Sequence, residues 1–237
     1  MDTLTVETIG LGSAGIIGIS SNYVTPWLWR QRRMALVRKK VLAQRSLALT
    51  YDDGPDGTAT PRLLDILKSS SARATFFMLG QNAHNHPEVA NRVLREGHEI
   101  GCHSDQHLDA WRVSPWQAAR DVQQGYLRLS PWIQPNAAFR PPYGRLTVPT
   151  YRLVHRQGAR IWWWTIDSGD SHKELPSLRQ ATEKLRRERG GIVLMHDGSL
   201  TSRSQERHEY TLAVTMALLE IAKQEGINTI ALRELAE

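Results

Sequence analysis

Five short segments of this 237-residue chain gather the residue types that catalysis uses. Asp52 and Asp53 stand side by side before Gly54-Pro55. Neighbouring carboxylates on an extended chain point in different directions, so they can hold different roles. His103 and His107 are spaced i, i+4. On a helical turn both imidazoles face one way and can reach one metal ion. Arg140 opens a loop stiffened by Pro141 and Pro142 and followed by Tyr143 and Gly144, where its guanidinium can pair with a carboxylate. Asp167-Ser168-Gly169-Asp170 and His196-Asp197-Gly198 complete the set. Taken singly, each segment reads equally well as a polar turn. Two histidines plus a carboxylate, however, leave a metal with open positions for water and substrate, which is the catalytic pattern rather than the structural one.

The elements that must position these residues are short apolar runs alternating with amphipathic stretches. Strands are predicted at Leu47–Tyr51, Ala74–Leu79, Glu99–Cys102, Ala137–Phe139, Arg160–Ile166, Ile192–Met195 and Asn228–Leu232. Helices are predicted at Pro61–Lys68, Pro87–Glu96, Pro115–Leu129, Val148–Gln157, Leu175–Arg189 and Tyr210–Gln224, several with proline in the first turn or glycine just past the end. Such alternation means a parallel sheet, open or closed into a barrel. All five polar segments then follow strands, where parallel α/β folds collect their sites. One shared site explains this better than five separate turns.

The segments TYDDGP (Thr50–Pro55), HSDQH (His103–His107), RPPYG (Arg140–Gly144), DSGDS (Asp167–Ser171) and LMHD (Leu194–Asp197) resemble, in order, the motifs of the polysaccharide deacetylases, carbohydrate esterase family 4. TFFMLG (Thr75–Gly80) and GHEIGCHS (Gly97–Ser104) resemble that family's core, and the similarity covers roughly residues 46 to 233. The resemblance implies a distorted (β/α) barrel of about seven parallel strands and a metal-dependent N-deacetylase of amino sugars. It implies that Asp53, His103 and His107 bind the metal, zinc by expectation. Asp52 would be the general base tuned by Arg140, and His196 the general acid oriented by Asp170. The Tyr143 N–H would hold the oxyanion, and Leu194 would border the acetyl methyl. Three departures stand out: Ser171 replaces the family's usual tryptophan, Tyr51 its commoner phenylalanine, and Cys102 an often polar residue. The first widens or wets the pocket beside Asp170 and His196. Hydrolysis of a cyclic amide or ureide is the alternative enzymatic reading, and an inactive sugar-binding module the third.

The chain divides into residues 1–45, an N-terminal extension, and 46–237, the catalytic domain. Its net charge of +6 comes from 30 basic and 24 acidic residues. Seven of the basic residues fall between Trp29 and Ser46, where no acid occurs; the remaining 23 face all 24 acids. The domain proper is therefore near neutral, and no nucleic-acid partner is expected. The apolar run Ile9–Ile19 is shorter than the ~20 residues a spanning helix needs, and acids rather than bases precede it, so no cleavable signal is expected. A cytoplasmic enzyme, or one at a membrane's cytoplasmic face through peripheral contact by residues 9–45, fits this pattern. The single cysteine excludes a disulfide scaffold. Trp111 and Trp116 are the candidate sugar-stacking residues, with His172 also near substrate; His84, His86, His155 and His208 read as surface or capping residues.

Overall fold

The computed structural model describes residues 7–198 and 204–235, with side chains from Tyr23 to Gly198 and from Gln205 to Leu235. A long helix, α1 (Glu7–Ala43), leads into strand β1 (Ser46–Asp52). Then follow α2 (Ala59–Ser69), β2 (Ala74–Met78), α3 (Gly80–Asn85), α4 (Pro87–Arg95), β3 (Glu99–Cys102), α5 (Pro115–Leu129) and α6 (Val148–Arg156). The chain finishes with β4 (Ile166–Asp167), α7 (Leu178–Glu188), β5 (Gly191–His196), α8 (Ser204–Glu225) and β6 (Asn228–Thr229).

The sheet runs β3-β2-β1-β5-β4, with β6 also paired to β1, and the pairings are parallel. Isolated parallel bridges carry the pairing onward from Cys102 to Phe139 and from Phe139 to Ile161. This is the parallel α/β architecture expected, with six strands among the described residues. The segments read as Ala137–Phe139 and Arg160–Ile166 are reduced to bridges and the short β4. Their backbones still pair: Cys102 N–H donates to Ala138 O, and Phe139 N–H to Arg160 O. Two prolines after Arg140 remove the donors that would lengthen this strand.

Every residue of β1 and β2 is buried, as befits strands covered on both faces. Tyr51 stacks on Phe76 with ring centroids 5.0 Å apart, and the Tyr51 hydroxyl meets Thr215 Oγ1 at 3.0 Å. The hydroxyl that distinguishes Tyr51 from phenylalanine thus ties β1 to α8. Helices α5 and α7 each start with a capping box, Ser114 with Gln117 and Ser177 with Gln180, which satisfies backbone donors at both starts.

Helix α1 was not foreseen as one piece: the apolar run and the basic segment form a single helix through Ser20–Asn22. Serine and asparagine cost only tenths of a kcal/mol in a helix, and the later part of α1 has partners to hold it. Trp29 packs edge-on against Trp163 and Tyr151, with centroids 5.6 and 5.2 Å away, and Arg38 pairs with Glu188 at 2.8 Å. No helix among the described residues is long and apolar enough to cross a membrane.

Candidate active site

Four of the five polar segments, led by the carboxyl ends of β1, β3 and β5, converge with the Arg140–Arg145 loop on one cavity of about 510 Å3. Its lining includes Asp52, Asp53, His103, His107, Tyr143, Asp170, Leu194 and His196. Arg140 lies behind it, fully buried.

Asp53, His103 and His107 place one ligand atom each within 4.8 Å of one another. Asp53 Oδ1 lies 3.4 Å from His103 Nε2 and 3.3 Å from His107 Nε2. It is buried with no hydrogen-bond partner among the described residues. His103 Nδ1 sits 2.7 Å from the Arg140 carbonyl. A carbonyl only accepts, so the ring carries its proton on Nδ1 and turns the Nε2 lone pair towards Asp53. Burial pushes both imidazoles down to about 3 and Asp53 up to about 7. Neutral imidazoles are the ligating form, and a buried carboxylate with no cation beside it is a group that a divalent ion would complete. The three residues fit a metal.

The two histidines do not sit on a helical turn, as their spacing suggested. They lie in the loop after β3, and Ser104 and His107 both take left-handed backbone conformations, with φ of 74° and 58°. The chain reverses sharply instead of coiling, and His107 N–H is held by Ser104 Oγ at 3.1 Å. The i, i+4 spacing was right for convergence and wrong for the geometry behind it.

Asp52 is held differently from its neighbour. Arg140 Nη1 donates to Asp52 Oδ1 at 2.8 Å and to Thr50 Oγ1 at 2.7 Å, and the guanidinium lies 4.2 Å from the Phe77 ring centroid. Burial raises the Asp52 carboxyl, and the Arg140 charge opposes that rise. Its other oxygen, Oδ2, is 3.7 Å from His103 Nε2.

Across the cavity, His196 Nδ1 meets Asp170 Oδ1 at 2.8 Å, while Asp170 Oδ2 accepts from His196 N–H and Thr211 Oγ1 at 2.7 and 3.0 Å. Burial by itself would lower the His196 imidazole. Asp170, with Asp53 and Asp52 beyond it, raises it instead to about 10. For Asp170, burial works upward, but His196 and the hydrogen bonds hold it below the usual carboxylate range. The pocket therefore contains a carboxylate held by arginine and a protonated imidazole held by carboxylate, an arrangement with separate basic and acidic groups.

Tyr143 occupies a left-handed conformation (φ 54°) in the Pro142–Gly144 turn, its ring 4.5 Å from that of His107. Leu194, on β5, is nearly buried at the cavity wall. Two glycines allow the strand ends to close up. A Cβ on Gly54 would meet the Asp197 carboxylate at 2.3 Å, and one on Gly198 would meet Asp53 O at 2.2 Å.

Beside Asp170, where Ser171 lines the pocket, α8 supplies Arg207 and His208 to the wall. Arg207 donates to the carbonyls of Asp170 and His172 at 2.7 and 3.0 Å. His208 is buried and lies within α8, which corrects its reading as a surface or capping residue. Helix α8 begins at Ser204 rather than near Tyr210, so His208 falls on a helical face turned inward. Thr50, which opens the TYDDGP segment, and Thr211 and Arg207 also hold site groups; neither of the last two lies in a recognisable polar cluster. Trp164 also lines the cavity, whereas Trp162 and Trp163 are buried. Trp111 and Trp116 are exposed, Trp116 within α5. His172 is exposed beside Asp167 at 3.7 Å.

Comparison with known proteins gives one consistent picture. The family described as polysaccharide deacetylase matches residues 39–162. A peptidoglycan-N-acetylglucosamine deacetylase of Bacillus cereus is 34% identical over 195 residues, covering 81% of this chain and 88% of that protein. A chitooligosaccharide deacetylase of a Bradyrhizobium species is 32% identical over 161 residues, covering 67% of this chain and 73% of that one. A Listeria monocytogenes peptidoglycan-N-acetylglucosamine deacetylase is 29% identical, and the chain spans 40% of its length. Among solved structures, a peptidoglycan N-acetylglucosamine deacetylase in complex with an N-oxidanyl-benzamide superposes with a TM-score of 0.71 at 26% identity, covering 81% of this chain and 88% of that one.

Proposed function

The chain belongs to the polysaccharide deacetylase family and is a hydrolase of amide carbon–nitrogen bonds; from that premise we propose that it removes the acetyl group from N-acetylhexosamine units of a poly- or oligosaccharide or lipid-linked precursor. The observation that carries this reading is the convergence of Asp53, His103, His107, Asp52 and His196 on one cavity.

Asp53 Oδ1, His103 Nε2 and His107 Nε2 would hold the divalent cation on which the family depends, and two imidazoles with one carboxylate suit zinc. When bound, such a cation supplies Lewis acidity, polarising an acyl oxygen and making water more acidic. Asp52 accepts the proton of the attacking water at Oδ2, because Oδ1 stays engaged by Arg140. The Tyr143 N–H donates to the developing oxyanion. An amine cannot leave unprotonated, so His196 donates a proton from Nε2, its Nδ1 being engaged by Asp170. Leu194 packs against the acetyl methyl. Water and amide are consumed, and acetate and a free amino sugar result.

Acetate release over a panel of chitooligosaccharides, peptidoglycan fragments and cyclic imides tests this reading. Acetate from the N-acetylated sugars is expected. Turnover of cyclic imides without any acetate from a sugar would overturn it in favour of ring-opening hydrolysis.

Peripheral membrane contact belongs to the same proposal. Val24, Leu28, Arg32 and Leu36 recur every four residues on the exposed side of α1, with Lys39 beyond them. An apolar stripe edged with bases suits an anionic lipid surface. On this reading the enzyme works at or near the cytoplasmic face of a membrane, and fractionation that places the intact chain outside the cell would refute that location.

A further inference from the structure

A second cleft, of about 180 Å3, opens beside the catalytic cavity and is built jointly by α1 and the catalytic domain. From α1 come Tyr23, Trp27 and Arg30; from the domain come Trp111 and Arg145. Tyr143, Gly144 and Arg145 line both spaces, so a chain seated in one continues naturally into the other. The half of the cleft that α1 supplies precedes the residues that match the family.

The chemistry of this lining is specific. Trp27 and Trp111 leave about half of their surfaces exposed, 49% and 48%. The Tyr23 ring braces Trp111 edge-on, with centroids 6.1 Å apart. The Arg145 guanidinium lies 4.8 Å from the Trp111 centroid and 5.6 Å from that of Tyr143, and Asp109 neutralises it through a direct ion pair. Arg30 donates from Nη1 to the Gly144 carbonyl at 3.3 Å, which fixes the α1 wall to the Tyr143 turn. Broad aromatic faces next to fixed N–H donors suit a ring with one apolar face and a polar rim. A purely apolar ligand would leave the arginine donors unmatched. An anion would have to compete with Asp109.

We propose that this cleft is a binding subsite for the sugar ring adjacent to the one being deacetylated, so that α1 makes the enzyme selective for linked sugars over a single ring. The proposal rests on the deacetylase reading and adds a substrate-length preference to it. The C–H face of the pyranose lies against Trp27 and Trp111, and its hydroxyls face Arg30 and Arg145.

The test compares initial rates on N-acetylglucosamine and chitopentaose for the full chain and its Trp27→Ala, Trp111→Ala and Trp27→Phe variants. The expected result is a fall of about tenfold in the pentaose-to-monosaccharide ratio of kcat/KM for each alanine variant. That fall should be carried by KM, and phenylalanine should restore most of the ratio. Equal losses on both sugars would mean that these residues only brace the fold, and an unchanged ratio would mean that no ring sits there; either result overturns the proposal. If the unsubstituted enzyme releases no acetate from either sugar, the deacetylase reading fails by itself. Calorimetric titration with chitopentaose then decides the subsite: weaker binding by the Trp27→Ala variant upholds it, and equal or absent binding overturns it.

Discussion

Arg140 Nη1 lies 2.8 Å from Asp52 Oδ1 with both side chains buried, so the two charges depend on each other. Removing one partner from such a pair leaves an uncompensated charge, at a cost of about 3–5 kcal/mol. Arg140→Gln should therefore lower the thermal midpoint and reduce turnover, on the order of 100-fold or more for a misplaced base. Asp52→Asn should abolish most turnover as well. The double variant should be more stable than the sum of the single losses allows, because neither charge is then stranded. Strict additivity of the two stability losses in urea unfolding would show that the pair does not act as a unit.

In its proposed role as acid, His196 must be protonated to release an amine, and Asp170 keeps it so. With Asp170 present the imidazole holds its proton up to about pH 10. Asp170→Asn removes the raising charge and leaves burial, which favours the neutral ring. The descending, alkaline limb of the pH–rate profile should then move to lower pH, while His196→Ala should lower turnover at every pH, by about 10²–10⁴-fold. The same linkage bears on stability. A folded pKa above the unfolded one contributes stability that is complete below about 6.5 and is lost as pH rises through about 10. An Asp170→Asn enzyme with an unmoved alkaline limb would contradict the assignment of His196 as acid.

Metal content separates the proposed ligand set from the proposed acid–base groups. His103→Ala, His107→Ala and Asp53→Asn each remove a ligand atom from the group clustered within 4.8 Å, and purified protein should then carry well below one equivalent of divalent ion. Asp52→Asn and His196→Ala leave the three ligands in place and should retain metal while losing deacetylation. Elemental analysis of the five proteins, purified alike, reads this directly. Full metal occupancy in the His103→Ala protein would remove that residue from the set.

Much of this site was legible because its residues follow strands: a parallel sheet brings the ends of β1, β3 and β5 to one edge, and the pairing of Asp52 with His196 follows from the register. What stayed hidden depends on tertiary contact. Nothing local marks Thr211 or Arg207 as partners of Asp170: Thr211 lies just inside the helix expected there, and Arg207 on an earlier turn, because α8 starts sooner than the sequence placed it. The loop geometry at Ser104 and His107 also escaped, because left-handed conformations at residues other than glycine have no strong composition signal. The segment around Phe139 read as a strand for its apolar residues, yet its ladder is cut short by the prolines beyond it. The apolar run and the basic segment read as separate pieces, yet α1 joins them through the polar triplet between, its later part held by packing.

His98 offers a stability test away from the site. Its Nδ1 accepts from Ala74 N–H at 3.2 Å, and its ring stands edge-on to Phe76. Burial pushes the imidazole down to about 4, with Arg233 and Arg92 adding to the depression against Glu96. Above about pH 6.5 the ring is neutral in both folded and unfolded chains, so it adds no pH dependence. Between about 6.5 and 4 the unfolded chain takes up a proton that the fold refuses, and stability falls as pH falls. His98→Asn supplies an oxygen to accept from the same amide but cannot titrate. At pH 7 the variant should melt below the unsubstituted protein for lost packing. That gap should narrow at pH 4.5, where the histidine carries its penalty and the asparagine does not. Thermal unfolding at the two pH values measures the difference of differences, and a gap of constant size would show that His98 does not titrate with folding.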